Sequence, residues 1–238
     1  MRKLTVGGAL VAALWWGSLS PIRGSVITFF GEDTFGGSRP PAIPNSLAAR
    51  NTFLGLFDTW GVEDFESTPL GTNVSSVSLN FGFTTGIINV LVGYLNVLDM
   101  EQRGRHEVSG SRFLEHLVPA GAAPIAIEVL FARPITGFGF FGTDAGDWGE
   151  QLSVVVNGAR YLIPHVTETR DGNAAVFFFG IYSSDPFDRV VIENVSPYSY
   201  PAFGYDDFIA AVPEPGTVGL LALGLGIVAW LRRTRPLL

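Results

Sequence analysis

Ile125-Ala126-Ile127-Glu128-Val129-Leu130-Phe131 is the stretch that decides the fold. Ile125, Ile127, Val129 and Phe131 alternate with Ala126, Glu128 and Leu130, so the side chains repeat every two residues and one face is apolar. The run is rich in β-branched and aromatic residues, as a half-buried strand requires. Working outward, comparable runs occur at Val26–Phe30, Val77–Thr85, Ile87–Leu98, Gly137–Thr143, Gln151–Asn157, Ala174–Tyr182, Asp188–Val195 and Gly204–Ala211. Gly, Pro, Asn and Asp break the chain between them. Strands at this spacing predict an all-β fold, an antiparallel β-sandwich of jelly-roll type. One short helix is expected, capped by Asn45, with Leu47, Leu54 and Phe57 on one face through Thr59 and Gly61 ending it.

The ends differ from the middle. Arg2 and Lys3 precede an apolar run from Leu4 to about Trp16, followed by the small residues Gly17, Ser18 and Ser20. This order predicts a secretion signal over residues 1–24 and helical character within it. At the other end Val212-Pro213-Glu214-Pro215 precedes an uncharged span from Gly216 to Leu231, then Arg232, Arg233 and Arg235. As a helix, that span reaches about 24 Å, short of a hydrocarbon core of about 30 Å. The arginines belong on the cytoplasmic side, which places the intervening domain outside the inner membrane. The expected organisation is a signal over 1–24, one domain over 25–211 and a tail over 212–238.

Between its ends the chain is acidic. Of the 22 Asp and Glu, Glu214 alone lies outside residues 25–211. Of the 15 Lys and Arg, six do, namely Arg2, Lys3, Arg23, Arg232, Arg233 and Arg235. The domain therefore carries 21 acidic against 9 basic groups. Such a charge repels phosphates, so nucleic acid is not an expected partner. Cations and neutral glycans suit it better. The absence of cysteine excludes disulfides, thiolate metal sites and a thiol nucleophile.

The tail's three parts, Val212-Pro213-Glu214-Pro215, the Gly- and Leu-rich span and the terminal arginines, together resemble the PEP-CTERM sorting signal of Gram-negative bacteria. The resemblance implies an exosortase-type membrane transpeptidase as partner, with cleavage near the motif and a transient inner-membrane anchor. It also implies a destination at the cell surface or in an exopolysaccharide and biofilm matrix. Val62-Glu63-Asp64-Phe65-Glu66-Ser67, Leu79-Asn80-Phe81-Gly82, Gly137-Phe138-Gly139-Phe140-Phe141-Gly142-Thr143-Asp144 and Gly204-Tyr205-Asp206-Asp207-Phe208 are similar to stretches of PEP-CTERM cargo domains. The last also resembles the closing strand of jelly-roll carbohydrate-binding modules, where an acidic opening strand and an Asp-Asp closing strand often hold a structural calcium.

Read as a strand, residues 63–66 put Asp64 and Glu66 on one face and Glu63 on the other. If first and last strands are neighbours, these acids meet Asp206 and Asp207. Packed carboxylates repel unless a cation or hydrogen-bond donors intervene. Two readings therefore stand open: a calcium ion on Glu66 and Asp207, with Asp64 and Asp206 as lesser candidates, or carboxylates that are solvated or bonded to backbone. Calcium is the one candidate cofactor, and it belongs to the first reading alone.

No motif predicts an enzyme. Gly137, Gly139 and Gly142 match GxGxxG, but no helix follows, so a nucleotide is not expected. No GxSxG is present, and His106-Glu107 lacks the second histidine of a zinc protease. Trp148, in the turn Asp144–Glu150, is the candidate for stacking on a sugar ring. The expected function is that of an exported surface or matrix protein binding polysaccharide. A glycan hydrolase and a purely structural protein are the alternatives.

Overall fold

The computed structural model describes residues 24–35, 39–117, 125–145, 151–166, 175–194 and 202–212. Two strands of 19 residues, β8 (Ile125–Thr143) and β11 (Val176–Asn194), run side by side and antiparallel as its backbone. The register slips between Tyr182 and Phe187 and again between Phe187 and Arg189. At the same level Pro134 and Pro186 stand exposed with Arg133 and Asp185 before them, while Ile135 and Phe187 after them are buried. Proline cannot donate to a ladder, so it sits where a sheet turns a corner. Here the ribbon bends, and its halves enter two layers over one core.

In the first layer β1 (Val26–Asp33) flanks β11, and β12 (Ala202–Val212) flanks β8. Beyond β12 come β7 (Phe113–Leu117), β6 (Tyr94–Leu98) and β3 (Gly71–Val74). β2 (Thr59–Glu63) pairs with the last half of β12. In the second layer β9 (Leu152–Val156) and β10 (Ala159–Leu162) extend from β11. On the other side β5 (Thr85–Val90) and β4 (Ser76–Asn80) extend from β8. Every pairing is antiparallel, and the fold is the all-β sandwich expected.

The period of two explains the core. Phe138 and Phe140 on β8, Phe177, Phe179 and Ile181 on β11, and Tyr205 and Phe208 on β12 point between the layers. Ile127, Val129, Val190 and Ile192 meet them from the second layer. The intervening residues Phe141, Phe178 and Ile209 face outward and are covered by α1 (Pro44–Leu54), whose Phe53 is fully buried. Phe57, just past the helix, packs where a Cβ on Gly137 would come within 2.3 Å of its ring. The glycines of the aromatic strand thus seat phenylalanines from the neighbouring strand and helix.

Several expectations are corrected. Asn45 does not cap the helix with its side chain. Asp33, at the end of β1, accepts hydrogen bonds from the Asn45 N–H (3.1 Å), the Ser46 N–H (2.9 Å) and the Ser46 hydroxyl (2.8 Å). A carboxylate at the positive end of the helix serves where Pro44 has no N–H to offer. The helix ends at Leu54 with Gly55 as its cap, and Gly61 lies in β2. Residues 77–85 form a hairpin: Asn80 accepts the Gly82 N–H at 2.9 Å, and Gly82 has φ 77°. Residues 64–66 are not strand. β2 stops at Glu63, and Phe65 has φ 60°.

Candidate functional site

Two places in the fold gather polar chemistry. The first is the seam where the sandwich stays open. β3 ends one layer and β4 ends the other, and among the described residues no strand pairs with both. Between them lies a groove of about 750 Å³. Pro69, Leu70 and Val74 supply apolar surface over the buried Val77, Leu79 and Val97, while Ser67, Thr68, Ser76, Ser78, Asn80 and Thr85 supply hydroxyls and an amide.

The backbone of β4 also faces this groove. Val90 N–H bonds to Ser75 O and Phe81 N–H to Thr84 O, so odd-numbered residues of the strand address β5. Alternation then turns the N–H and C=O groups of Ser76, Ser78 and Asn80 away from β5. The Asn80 amide is taken by Glu63 Oε2 at 2.7 Å, and Glu63 Oε1 accepts the Phe65 N–H at 3.0 Å. Glu63 is buried in the groove wall, and that burial raises its carboxyl above the ordinary range against the pull of both N–H donors.

A buried polar chain positions the opposite wall. Arg105 Nε lies 2.7 Å from Glu115 Oε1, and its Nη1 lies 2.8 Å from Asp144 Oδ2. Glu115 Oε2 accepts from Asn96 Nδ2 at 2.7 Å, and Asn96 Oδ1 accepts the Asn73 N–H at 2.9 Å. β3 is thereby tied to β6, β7 and the end of β8.

The second place is the acidic cluster. β2 and β12 are neighbours, with Glu63 opposite Phe208, as the resemblance implied. The register shifts between Asp206 and Ile209, and Asp207 has φ 46°. One extra residue in β12 thus turns two consecutive aspartates toward the outer face, between the inward Tyr205 and Phe208. Phe65 and Phe208 meet edge to face at 5.6 Å and anchor the two acidic segments.

The carboxylates spend themselves on one loop. Asp206 Oδ2 accepts the N–H groups of Val108 (2.7 Å) and Ser109 (2.9 Å), and its Oδ1 accepts the Asp207 N–H (2.8 Å). Asp207 Oδ1 accepts the Ser109 hydroxyl at 2.6 Å. From the other side Glu66 Oε1 accepts the N–H groups of Ser111 and Arg112, each at 2.6 Å, and its Oε2 accepts the Ser111 hydroxyl. Asp64 Oδ1 accepts the Glu66 N–H at 3.1 Å. Burial, with the neighbouring charge of Asp207, pushes the Asp206 carboxyl up to about 8. Asp207 is raised by burial, and Asp64 adds to the shift. Glu66 is lowered, mainly by the Ser111 N–H.

The structure therefore gathers Glu66, Asp64, Asp206 and Asp207 around residues 108–112. Among the described residues, no three acidic or imidazole groups converge as a metal site. The β4 wall falls within the strand run Val77–Thr85 read from the sequence, but the β3 wall went unread, because β3 has a polar four-residue sequence with no alternation. Val212 closes β12 opposite Thr59 and leads straight into the sorting motif. Trp148, Pro213, Glu214, Pro215, Arg232, Arg233 and Arg235 lie outside the described residues, as do the signal and tail helices.

Comparison with known proteins bears on the tail and the fold. The PEP-CTERM protein-sorting motif matches residues 211–235, so the chain carries a sorting signal of exported proteins. No curated protein matches the chain. Among solved structures it is similar to the K2 cleaved adhesin domain of Lys-gingipain, at 13% identity over 65% of this chain and 98% of that one, with a TM-score of 0.40. It is also similar to the CBM22-1 xylan-binding domain of Paenibacillus barcinonensis Xyn10C, at 17% identity over 64% and 93%, with a TM-score of 0.34. A third is TmCBM61, solved with β-1,4-galactotriose, at 10% identity over 62% and 98%, with a TM-score of 0.30. Likenesses this weak carry no weight for ligand or activity.

Proposed function

We propose that this is an exported surface or matrix protein, processed by an exosortase-type transpeptidase, whose sandwich binds polysaccharide. The observation that carries the binding reading is the open groove between β3 and β4, which sets hydroxyl groups and an outward-facing strand backbone above apolar side chains. A few placed polar groups over an apolar surface are what orient a sugar. The tail supplies the context, since the motif at 211–235 directs the domain out of the cell. Trp148 joins the reading as a second sugar contact.

Binding is favoured over hydrolysis by the count of acids. Glycosidases set two carboxylates across the scissile bond. Of the described residues lining the groove only Glu63 is acidic, and both its oxygens accept backbone N–H bonds. The test is a glycan array probed with the exported protein, with reducing-sugar release measured in parallel. Binding without release supports the reading; release would favour a hydrolase, and neither would favour a structural role.

A structural calcium ion belongs to the same proposal. Its proposed donors are Glu66 and Asp207, with Asp64 and Asp206 as lesser candidates and backbone carbonyls completing a shell of about six to eight oxygens. An ion there would have to displace the hydrogen bonds that Glu66 accepts from Ser111 and Arg112 and that Asp207 accepts from Ser109. Calcium should raise the melting midpoint of the parent and do little for Asp207→Asn. A chelator that leaves the parent curve unmoved would remove the ion from the account.

A further inference from the structure

We infer that the groove between β3 and β4 takes a linear, uncharged polysaccharide, held by the outward backbone of β4 and the hydroxyls beside it, and turns away chains bearing uronate or sulfate. This rests on the polysaccharide reading and sharpens it to a class of polymer.

Charge is the first argument. Among the described residues lining the groove none is Lys, Arg or His, and the one charged side chain is the carboxylate of Glu63. Arg112, which comes near, turns its Nη1 to the Thr68 carbonyl at 2.5 Å. An anionic polymer would approach a wall without a counter-charge, on a domain with 21 acidic and 9 basic groups. Proteins that hold anionic groups do so with Arg, Lys or clustered N–H donors.

Shape and hydrogen bonding are the second. The β4 edge offers the N–H and C=O groups of Ser76 and Ser78, and the Ser78 side chain is exposed beside them. Donors and acceptors recur along that edge about every 6.8 Å, two residues of strand. Sugar hydroxyls both donate and accept, so they answer such an edge in either sense. Pro69 and Leu70, both exposed, and the half-buried Val74 leave apolar surface for the C–H groups of the rings. With no aromatic ring among the lining residues, each site binds weakly and gains by engaging a repeating polymer.

A strand edge could in principle add a peptide strand instead. Here both edges are blunted. β3 is four residues long with a register irregularity and Asn73 at φ 57°, and the outward amide of Asn80 is already taken by Glu63. Short, irregular edges resist strand addition.

The experiment is native affinity electrophoresis of the exported protein at physiological salt. The gels contain a linear β-glucan, alginate, dextran sulfate or no polymer. The parent should be retarded by the β-glucan alone. Ser78→Leu, which fills the groove from an exposed position and offers neither a hydrogen bond nor a ring to stack on, should bind at least tenfold more weakly while keeping the parent melting midpoint. Retardation by alginate or dextran sulfate would overturn the charge class and leave polysaccharide binding intact. β-Glucan binding that Ser78→Leu does not weaken would overturn the groove. Binding to no polymer, but to an extended peptide, would overturn both this inference and the function it rests on.

Discussion

Phe140 touches Phe138, Phe177, Phe179, Tyr205 and Phe208, every ring centroid within 6.3 Å, and is fully buried. Truncation to alanine there should cost about 3–5 kcal/mol, read from denaturant unfolding. Gly139→Val should cost about 1–3 kcal/mol by overpacking, because its Cβ would come within 2.8 Å of the Phe178 ring. Unchanged midpoints in both would remove this strand from the core. The charged residues divide by burial. Arg105→Ala takes the counter-charge from buried Glu115 and should destabilise by about 3–5 kcal/mol. Arg189→Ala breaks a pair with Glu128 whose arginine is half exposed, and should cost below about 1 kcal/mol. Equal losses from the two variants would contradict the network as drawn.

At the level of elements, two buried groups titrate in opposite senses: Asp206, whose carboxylate fastens the loop at 108–112, and His116 on β7. Asp206 has its carboxyl raised to about 8, so its unfolded form ionises first and stability falls as pH rises from about 4 to about 8. His116 is buried, bonded to the Val92 carbonyl and lowered to about 4, so stability falls as pH drops from about 6.5 to about 4. The two slopes oppose between those limits, with His106 and His165, also lowered by burial, on the side of His116 and Glu32, Glu63 and Asp207, also raised by burial, on the side of Asp206; above about pH 6.5 the histidine side fades and the Asp206 slope dominates. The parent's melting midpoint should therefore decline between pH 6.5 and 8, and Asp206→Asn should flatten that decline. A parent curve that rises over this interval would contradict the burial of Asp206. These elements also show what could be read from sequence. Alternation located the interiors of β8, β9, β11 and β12, because burial on one face leaves a pattern of period two. Pro134 and Pro186 made two long strands look like four, because a corner and a strand end use the same residue. β2, β3, β7 and β10 left no such pattern. β7 buries Glu115 and His116, which only partners distant in sequence make tolerable. The acidic pair was visible from its residues and the resemblance, but the loop that occupies it was not.

At the scale of the whole molecule, the sandwich runs into its export signal without a spacer: Val212 is both the last residue of β12 and the residue before Pro213. If the tail is processed near the motif, mass spectrometry of the surface form should find no peptide beyond Pro215. An intact tail on the mature protein would contradict that step. Changing Arg232, Arg233 and Arg235 to Glu should disturb retention and orientation before processing, measured by protease accessibility of the domain. The groove and the tail together underlie the proposal of an exported domain that holds an uncharged polysaccharide at its open seam. The decisive measurement is hydrogen–deuterium exchange of the exported protein, with and without a linear β-glucan. Added protection is expected in peptides spanning residues 67–80, with little change over β9 and β10. Protection confined to other regions, or none at saturating polymer, would contradict the proposal.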